Sequence, residues 1–421
     1  MRRLSSPRLA VLRLAVPVLA VALVSGGSAA AGSGGPTGGW VSTWTGSAMA
    51  PSALVSSVQE LADQTVRNIV HTSAGGSELR VRVSNAFGDR PVTVGAATVG
   101  RQLRDAQVDQ ATLRGLTFAG RAAVRVPEGG SVVSDPVRMP VPALTNLAVS
   151  LYLPEPTGPA TYHQAPMRTN YLAAGDHAAD AAAGAFGTTV GTWFFVDAIQ
   201  VRGRAPGTIV ALGDSITDGV GGQHDANTRW PNYLARRLTE RYGSGAPAVI
   251  GAGISGNRVL NDSTCFGERL LDRLDRDVFS QPGVHTVVLL EGINDLGFSQ
   301  SENSGCTAPN TNVSVAQLVA AYRQIIDRAH ARGIRVYGGT LTPAQGFFYW
   351  DDAAERKRRE VNAWIRTSRA FDGVVDFAAV MAYPGHPELL DPKYDSGDHL
   401  HPNDAGFEAM AAAAARTLRL S

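Results

Sequence analysis

The spacing at which apolar residues recur along the sequence changes near residue 204, and this change limits the folds that the chain can adopt. Residues 40–202 contain short runs rich in Val, Thr and Leu, and at 79–83 apolar residues alternate with arginines. A period of two is typical of strands buried on one face, and turn-forming clusters separate the runs. Residues 40–203 are therefore predicted to form an all-β domain, either a sandwich or a jelly roll.

After residue 204, apolar strands alternate with amphipathic helices. The clearest helix opens with a capping box at Ser314 and Gln317 and stops at Gly333. Such alternation predicts a parallel sheet with helices on both faces and with catalytic loops at the carboxyl ends of its strands. We therefore expect an α/β domain over residues 204–421. Its strand candidates are residues 208–212, 249–250, 286–290, 335–341 and 374–375.

The N-terminal segment has the pattern of an export signal. Four arginines within the first 13 residues precede an apolar run at 14–24 and small residues at 26–31. The apolar run is shorter than the about 20 residues that span a bilayer. We therefore predict a signal peptide at 1–31, a Gly/Ser-rich linker at 32–39, and a secreted, extracellular protein without stable membrane insertion.

Charge and cysteine content exclude several classes of partner. Lys and Arg number 38 against 37 for Asp and Glu, so no global field favours nucleic acid. Outside the cell, the two cysteines, Cys265 and Cys306, most often form one disulfide, which would stabilise the fold by about 3 to 4 kcal/mol. The pair cannot complete a zinc site, and His224, His285 and His386 lack metal-ligand spacing. We expect neither a metal nor an organic cofactor.

A Gly-Asp-Ser block carries the clearest chemical signal. It ends at Ser215 and directly follows the buried strand at 208–212. A serine at the start of a helix lies beside backbone N–H groups that stabilise negative charge. Taken alone, however, such a serine is more often an N-cap than a nucleophile. The Gly-x-Ser-x-Gly elbow of α/β-hydrolases occurs nowhere in the chain, which disfavours that fold.

A serine nucleophile needs a base to remove its proton, and a carboxylate that orients the base. Asp398 and His401 lie three residues apart, ahead of a C-terminal helix. In a turn that enters a helix, this spacing lets the carboxylate reach the histidine ring. His399 is a competing candidate for the base, but the spacing from Asp398 favours His401.

Acyl transfer also requires hydrogen-bond donors for the oxygen that becomes an anion. A glycine-rich block at 251–257 follows a short strand, and glycine lets a backbone N–H approach a ligand closely. Asn294 lies just after the strand at 286–290, where its side-chain amide can point a second donor into the same space. Either feature alone is more often structural than catalytic.

Taken in order, these four blocks resemble those of the SGNH, or GDSL-type, hydrolase superfamily. The resemblance implies Ser215 as nucleophile, His401 as general base and acid, and Asp398 as its orienting partner. It further implies an oxyanion hole made of the Ser215 and Gly256 amides and the Asn294 side chain. It also implies a flavodoxin-like, three-layer α/β/α sheet over about half of the chain.

Residues 229–231 and 276–278 look like those of a secreted bacterial arylesterase and acylhydrolase-like branch with a β-rich N-terminal extension. We therefore predict a secreted serine esterase that acts on short acyl, aryl or acetylated-carbohydrate esters through an acyl-serine intermediate. Its substrate would be a small molecule or an ester carried on a polysaccharide. The alternative is a glycan-binding or cell-surface module with an inactive hydrolase domain. The aromatic cluster at 347–350 either walls the substrate pocket or packs on the core.

Overall fold

The computed structural model describes residues 39–52 and 60–419. The predicted signal peptide and nearly all of the predicted linker lie outside the described residues. The described residues all belong to one compact unit. None of their helices combines the length and the apolar character that crossing a membrane requires.

Residues 40–202 form an all-β region, as the alternation of apolar and polar residues predicts. Its strands are β1 (Trp40–Thr45), β2 (Gln64–His71), β3 (Gly76–Ser84), β4 (Val92–Val94), β5 (Ala96–Arg104), β6 (Gln107–Val108), β7 (Arg114–Gly115), β8 (Val124–Val126), β9 (Ser131–Val133), β10 (Val137–Val141), β11 (Asn146–Leu153), β12 (Tyr162–His163), β13 (Asn170–Ala174), β14 (Thr188–Val190), β15 (Trp193–Phe194) and β16 (Val196–Arg202).

Most of these strands belong to two antiparallel sheets. One has the order β1-β16-β3-β10 with β9 beside β3, and the other has the order β14-β13-β2-β11-β5-β6 with β7 beside β5. Their apolar residues share one core, which includes Leu79, Val81 and Val83 of β3 and Val149 and Leu151 of β11. Two antiparallel sheets that share a core fit the prediction of a sandwich or a jelly roll.

The polar face of β3 is covered, contrary to the expectation of a sheet buried on one side. Arg82 alternates with apolar neighbours, yet it is only 7% exposed. Its Nε donates to Asp197 at 2.7 Å, and its Nη1 donates to Ser280 of the α/β region at 2.9 Å. A period of two identifies the face of a strand, but it does not show what packs on that face.

The part of the described chain that follows forms the α/β region. Its strands are β17 (Thr208–Gly213), β18 (Ala248–Gly253), β19 (Val284–Leu290), β20 (Arg335–Gly339), β21 (Gly373–Val375), β22 (Ala382–Tyr383) and β23 (His386–Leu390). Its helices are α1 (Ser215–Asp218), α2 (Trp230–Tyr242), α3 (Leu270–Leu274), α4 (Ile293–Gly297), α5 (Val315–His330), α6 (Asp352–Thr367), α7 (Phe377–Met381) and α8 (Asp404–Thr417). A π-helical turn (Asp275–Phe279) continues α3, and 3₁₀ turns occupy Gly243–Gly245, Phe298–Gln300 and Gly305–Thr307.

Five parallel strands form the central sheet, in the order β18-β17-β19-β20-β21. Numbered along the chain, this is the 2-1-3-4-5 order of flavodoxin-like folds, so the predicted fold class is confirmed. Helices α2, α7 and α8 pack together, while α4 and α5 pack with α6. The strand order reverses between β17 and β19, and ligands bind at such switch points in open α/β sheets.

The best-defined helix, α5, starts as predicted. The Ser314 hydroxyl and the Gln317 side chain form the capping box. The helix ends at His330, three residues before the predicted stop at Gly333, because the chain passes through a turn before reaching this glycine. Gly333 itself has a φ of 70°, a backbone conformation that favours glycine.

The all-β region covers the edge strand of the central sheet. Strand β1 packs along β18, and the Thr45 hydroxyl donates to the Gly251 carbonyl at 2.7 Å. On the same strand, the Val249 amide donates to the Ser73 hydroxyl at 3.0 Å. An exposed edge strand presents unpaired backbone groups, and these contacts satisfy some of them. The all-β region is thereby built onto the sheet that carries the candidate site.

Candidate active site

Ser215 lies where β17 ends and α1 begins. The Asp214 side chain caps this short helix by accepting from the Ile216 amide at 3.0 Å. A side chain at Gly213 would lie 2.3 Å from both the Leu290 carbonyl and the Thr217 hydroxyl, so the turn requires glycine. The Gly-Asp-Ser block therefore holds the serine on a tight, capped turn at the carboxyl edge of the sheet. The serine is 5% exposed.

The C-terminal turn brings a histidine and a carboxylate to this serine. The Ser215 hydroxyl donates to Nε2 of His401 at 2.8 Å. On the other side of the ring, Nδ1–H donates to Asp398 at 2.6 Å. Asp398 also accepts the His401 amide at 2.8 Å, which fixes the turn between the two residues. In this arrangement His401 can accept the serine proton while the carboxylate sets its tautomer.

The structure separates His399, the competing candidate, from the serine. Its ring hydrogen bonds to Asp395 at 2.8 Å, and its side chain is 57% exposed. Its backbone has a positive φ of 69°, which turns the chain between Asp398 and His401. His399 therefore shapes the turn, and the Ser215 hydroxyl bonds to His401 instead.

The three implied oxyanion donors follow three neighbouring strands. Ser215 follows β17, while Gly256 and Asn294 follow β18 and β19, which flank it on either side. Neither the Ser215 nor the Gly256 amide donates to an acceptor within residues 39–52 and 60–419. The Asn294 Nδ2 donates to the Asn257 carbonyl at 3.0 Å and thereby joins two of the three loops. The geometry thus leaves both amides for a substrate oxygen.

Two residues that the motifs do not identify hold these loops in place. Arg273 is fully buried, and its guanidinium donates to the Gly213 carbonyl at 3.0 Å and to the Ala252 carbonyl at 2.9 Å, which ties β17 to β18. The Tyr349 hydroxyl donates to Oδ1 of Asn294 at 3.0 Å and so orients the Asn294 amide. Tyr349 lies in the aromatic cluster noted in the sequence, whereas no sequence signal points to Arg273.

Several buried carboxyl groups lie close to the candidate site. Burial raises the pKa of Asp214 to about 7 and that of Asp295 to about 6. Burial, together with the charge of Asp214, raises the pKa of Glu291 well above its usual range. The carboxyl group of Asp398 behaves in the opposite way. Its partial burial opposes ionisation, but hydrogen bonds from the His401 ring and amide lower its pKa below the usual range.

Aromatic rings form a connected row along one side of the site. Phe266 lies against Gly256, where an added Cβ would be 2.4 Å from its ring, and it stacks on Phe298 at 5.7 Å between centroids. Phe298 contacts Tyr349, which contacts Phe347, and the Phe347 ring lies 6.0 Å from the His401 ring. The row therefore runs from the glycine block to the histidine.

The aromatic cluster at 347–350 lies partly in the core and partly beside the candidate site. Trp350 is buried in the core of the α/β region, whereas Phe347 and Tyr349 border the site. Phe348 packs on both neighbouring rings and is still 87% exposed. The exposed ring of Phe348 thus offers an apolar surface beside Phe347, the ring that lies against His401.

The cysteine pair lies beside the same row. Cys265 and Cys306 form the predicted disulfide, and Cys265 directly precedes Phe266. The disulfide thus fixes the segment whose ring lies against Gly256.

Among the described parts of the chain, no group of three or more His, Cys, Asp or Glu side chains could hold a metal ion.

A serine, a histidine and a carboxylate joined by hydrogen bonds at the carboxyl edge of a flavodoxin-like sheet define the class of serine hydrolases. Residues 211–409 match the model of the GDSL-like lipase/acylhydrolase family. The resemblance to SGNH, or GDSL-type, hydrolases is thereby confirmed. The protein is a carboxylic ester hydrolase of this type.

Several solved structures are similar to about half of this chain. One is the lipase/acylhydrolase from Enterococcus faecalis, with 23% identity, a TM-score of 0.38 and coverage of 50% of this chain and 93% of the other. A GDSL-like lipase from Bacteroides thetaiotaomicron has 23% identity, a TM-score of 0.35 and coverage of 50% and 87%. An acetyl xylan esterase from Geobacillus stearothermophilus has 21% identity, a TM-score of 0.39 and coverage of 50% and 94%. No curated protein matches the sequence.

Proposed function

We propose that the protein hydrolyses carboxylic esters through an acyl intermediate on Ser215. The observation that carries this proposal is the row of hydrogen bonds from Ser215 through His401 to Asp398, with lengths of 2.8 and 2.6 Å. A serine hydroxyl becomes a competent nucleophile when a neutral imidazole accepts its proton. The complete row favours an active enzyme over a binding module with an inactive hydrolase domain.

The reaction follows from this geometry in two halves. Ser215 Oγ attacks the ester carbonyl while Nε2 of His401 takes the hydroxyl proton, and Asp398 stabilises the imidazolium that forms. The carbonyl oxygen of the ester becomes an anion, which the Ser215 and Gly256 amides and the Asn294 side chain stabilise. When the tetrahedral intermediate collapses, the bond to the alcohol breaks and His401 returns its proton to the leaving oxygen.

The second half releases the acid. A water molecule attacks the acyl-Ser215 carbonyl as His401 takes one of its protons, and the same donors stabilise the second tetrahedral intermediate. Collapse breaks the bond to Oγ, and the imidazolium returns the proton to the serine. The products are a carboxylic acid and an alcohol, and the enzyme is restored.

We place short acyl groups at the serine and an aryl or sugar alcohol over the aromatic rings. The Phe266 ring fills the position that a side chain at Gly256 would occupy, and the Tyr349 hydroxyl bonds to Asn294, so bulky rings border the donors and favour a short acyl group. Phe347 and the exposed Phe348 offer flat apolar surface next to His401, where the leaving alcohol must lie to receive its proton. Aromatic faces bind aryl rings and the apolar faces of sugars.

Export from the cell fits this substrate class. The arginine-rich start, the apolar run at 14–24 and the small residues at 26–31 support a cleaved signal peptide. The disulfide between Cys265 and Cys306 is of a kind that persists in oxidising compartments. We therefore propose a secreted, extracellular enzyme.

The test is a kinetic comparison of wild type with Ser215→Ala. Wild type is expected to hydrolyse p-nitrophenyl acetate, and the variant is expected to lose this activity while its circular dichroism spectrum and Tm stay unchanged. Across p-nitrophenyl esters from acetate to decanoate, kcat/KM is expected to fall as the chain lengthens. Equal rates for the two proteins would reject Ser215 as the nucleophile. A maximum of kcat/KM at long chains would reject the assignment of short acyl groups.

A further inference from the structure

The backbone donor of Gly256 belongs to the peptide unit that joins it to Ser255. The direction of its N–H therefore depends on how the Ser255 carbonyl, at the other side of the same planar unit, is held. Gly256 has a φ of 76°, a conformation open mainly to glycine, so the local sequence permits this orientation. Contacts from elsewhere must select it.

One contact on this peptide unit comes from the all-β region. The Gln164 side chain donates from Nε2 to the Ser255 carbonyl at 3.2 Å. Gln164 lies 91 residues away in sequence and is only 8% exposed. A hydrogen bond to the carbonyl both orients the peptide plane and polarises it, which strengthens the N–H on its other side as a donor.

A second contact runs through a buried carboxylate. Oδ2 of Asp218, in α1, accepts both the Ser255 amide at 3.2 Å and the Ser255 hydroxyl at 2.9 Å. Oδ1 of the same carboxylate accepts from Nε2 of His163, in β12, at 2.9 Å. His163 and Asp218 are each 3% exposed, so water competes little for this contact.

The all-β region holds His163 firmly. Its Nδ1 contacts the Ser47 carbonyl at 2.9 Å, and its ring packs on Trp193 at 5.3 Å between centroids. Strand β12 pairs with β15, with His163 opposite Trp193. A side chain fixed at both ring nitrogens and on one ring face is a rigid support for what it binds.

From these contacts we infer that the all-β region is part of the catalytic apparatus, with His163 and Gln164 as positioning residues for the Gly256 N–H. This inference rests on the proposed esterase function, because only there does the Gly256 amide receive an oxyanion. His163 acts through Asp218 and Gln164 acts directly, and both act on Ser255. Neither residue needs to touch the substrate.

The kinetic constant that changes distinguishes a positioning role from a merely structural one. Misdirecting a donor weakens binding of the tetrahedral state more than binding of the ester, so kcat falls and KM changes little. Removing an oxyanion donor outright costs about 10²- to 10³-fold in kcat, and misplacing one costs part of that. We expect Gln164→Leu to lower kcat by about 10-fold or more and to change KM by less than about 3-fold.

The experiment compares Gln164→Leu and His163→Ala with the control Thr45→Val. The control removes another hydrogen bond from the all-β region to β18, the one to Gly251, which lies outside the catalytic groups. For each protein kcat, KM, Tm and the inhibition constant of phenylboronic acid, a mimic of the tetrahedral state, are measured. Wild-type turnover and the Ser215→Ala comparison report separately on the proposed function.

The inference is supported if Gln164→Leu lowers kcat and lowers the affinity for phenylboronic acid by an equal factor, while the kcat of Thr45→Val stays within about 2-fold of wild type. Unchanged kcat in a folded Gln164→Leu protein would overturn it. So would a loss in Thr45→Val that matches the loss in Gln164→Leu at equal Tm, because the effect would then be general loosening between the regions. If His163→Ala does not fold, Gln164→Leu alone decides.

Discussion

Replacing His401 by alanine tests the central chemical assignment. Among the described residues, the Ser215 hydroxyl has its hydrogen bond to Nε2 of His401, at 2.8 Å, and the variant leaves it without a base. General-base catalysis contributes about 10²- to 10⁴-fold, and a triad acts as a unit, so the loss lies at the upper end or beyond. We expect kcat to fall by at least about 10⁴-fold, which corresponds to about 5.5 kcal/mol of transition-state stabilisation.

His399→Ala is the matched control, because His399 lies two residues away on the same turn. Its ring is largely exposed and hydrogen bonds to Asp395 instead of the serine, so we expect kcat within about 3-fold of wild type. Both variants are assayed with p-nitrophenyl acetate at neutral pH, and Tm verifies that each is folded. Comparable losses in the two variants, or a loss below about 10-fold in His401→Ala, would refute the assignment of the base.

Two further predictions concern stability. No described group hydrogen bonds to the Glu291 carboxyl oxygens, and burial raises the pKa of Glu291. The folded state therefore keeps a proton that the unfolded chain releases. As a result, the free energy of unfolding falls as the pH rises above about 4.3. The Tm of Glu291→Gln minus that of wild type is therefore expected to be more positive at pH 8 than at pH 4, and an equal difference at both would contradict this. Replacing Cys265 and Cys306 by alanine opens a loop of 41 residues, and we expect the free energy of unfolding measured in urea to fall by about 4 kcal/mol. A fall below about 1 kcal/mol would contradict the contribution of the disulfide.

The sequence by itself determines the class of fold and the order of the chemical groups. The change of period near residue 204 separates the antiparallel strands from the strands that alternate with helices, because each period reports which side chains share a face. The Gly-Asp-Ser block predicts the position of Ser215 because the turn chemistry is local. The same holds for Asp398 and His401, whose three-residue spacing already places the carboxylate on the ring.

Other features were decided by the tertiary structure. The alternation in β3 predicts a polar outer face, but Arg82 is buried there because the α/β region packs on it. Arg273 and Tyr349 support the donor loops through bonds to backbone and side-chain groups that no motif specifies.

The contacts of His163 and Gln164 show most directly why the sequence alone does not specify such features. They join residues that are 55 and 91 positions apart in sequence, and no motif in the sequence marks either side chain. Local periodicity and turn chemistry depend on neighbours within a few residues, so they specify strands, helices and short motifs. Which distant loop meets the Ser255 carbonyl depends on how two sheets pack, and only the folded chain determines that.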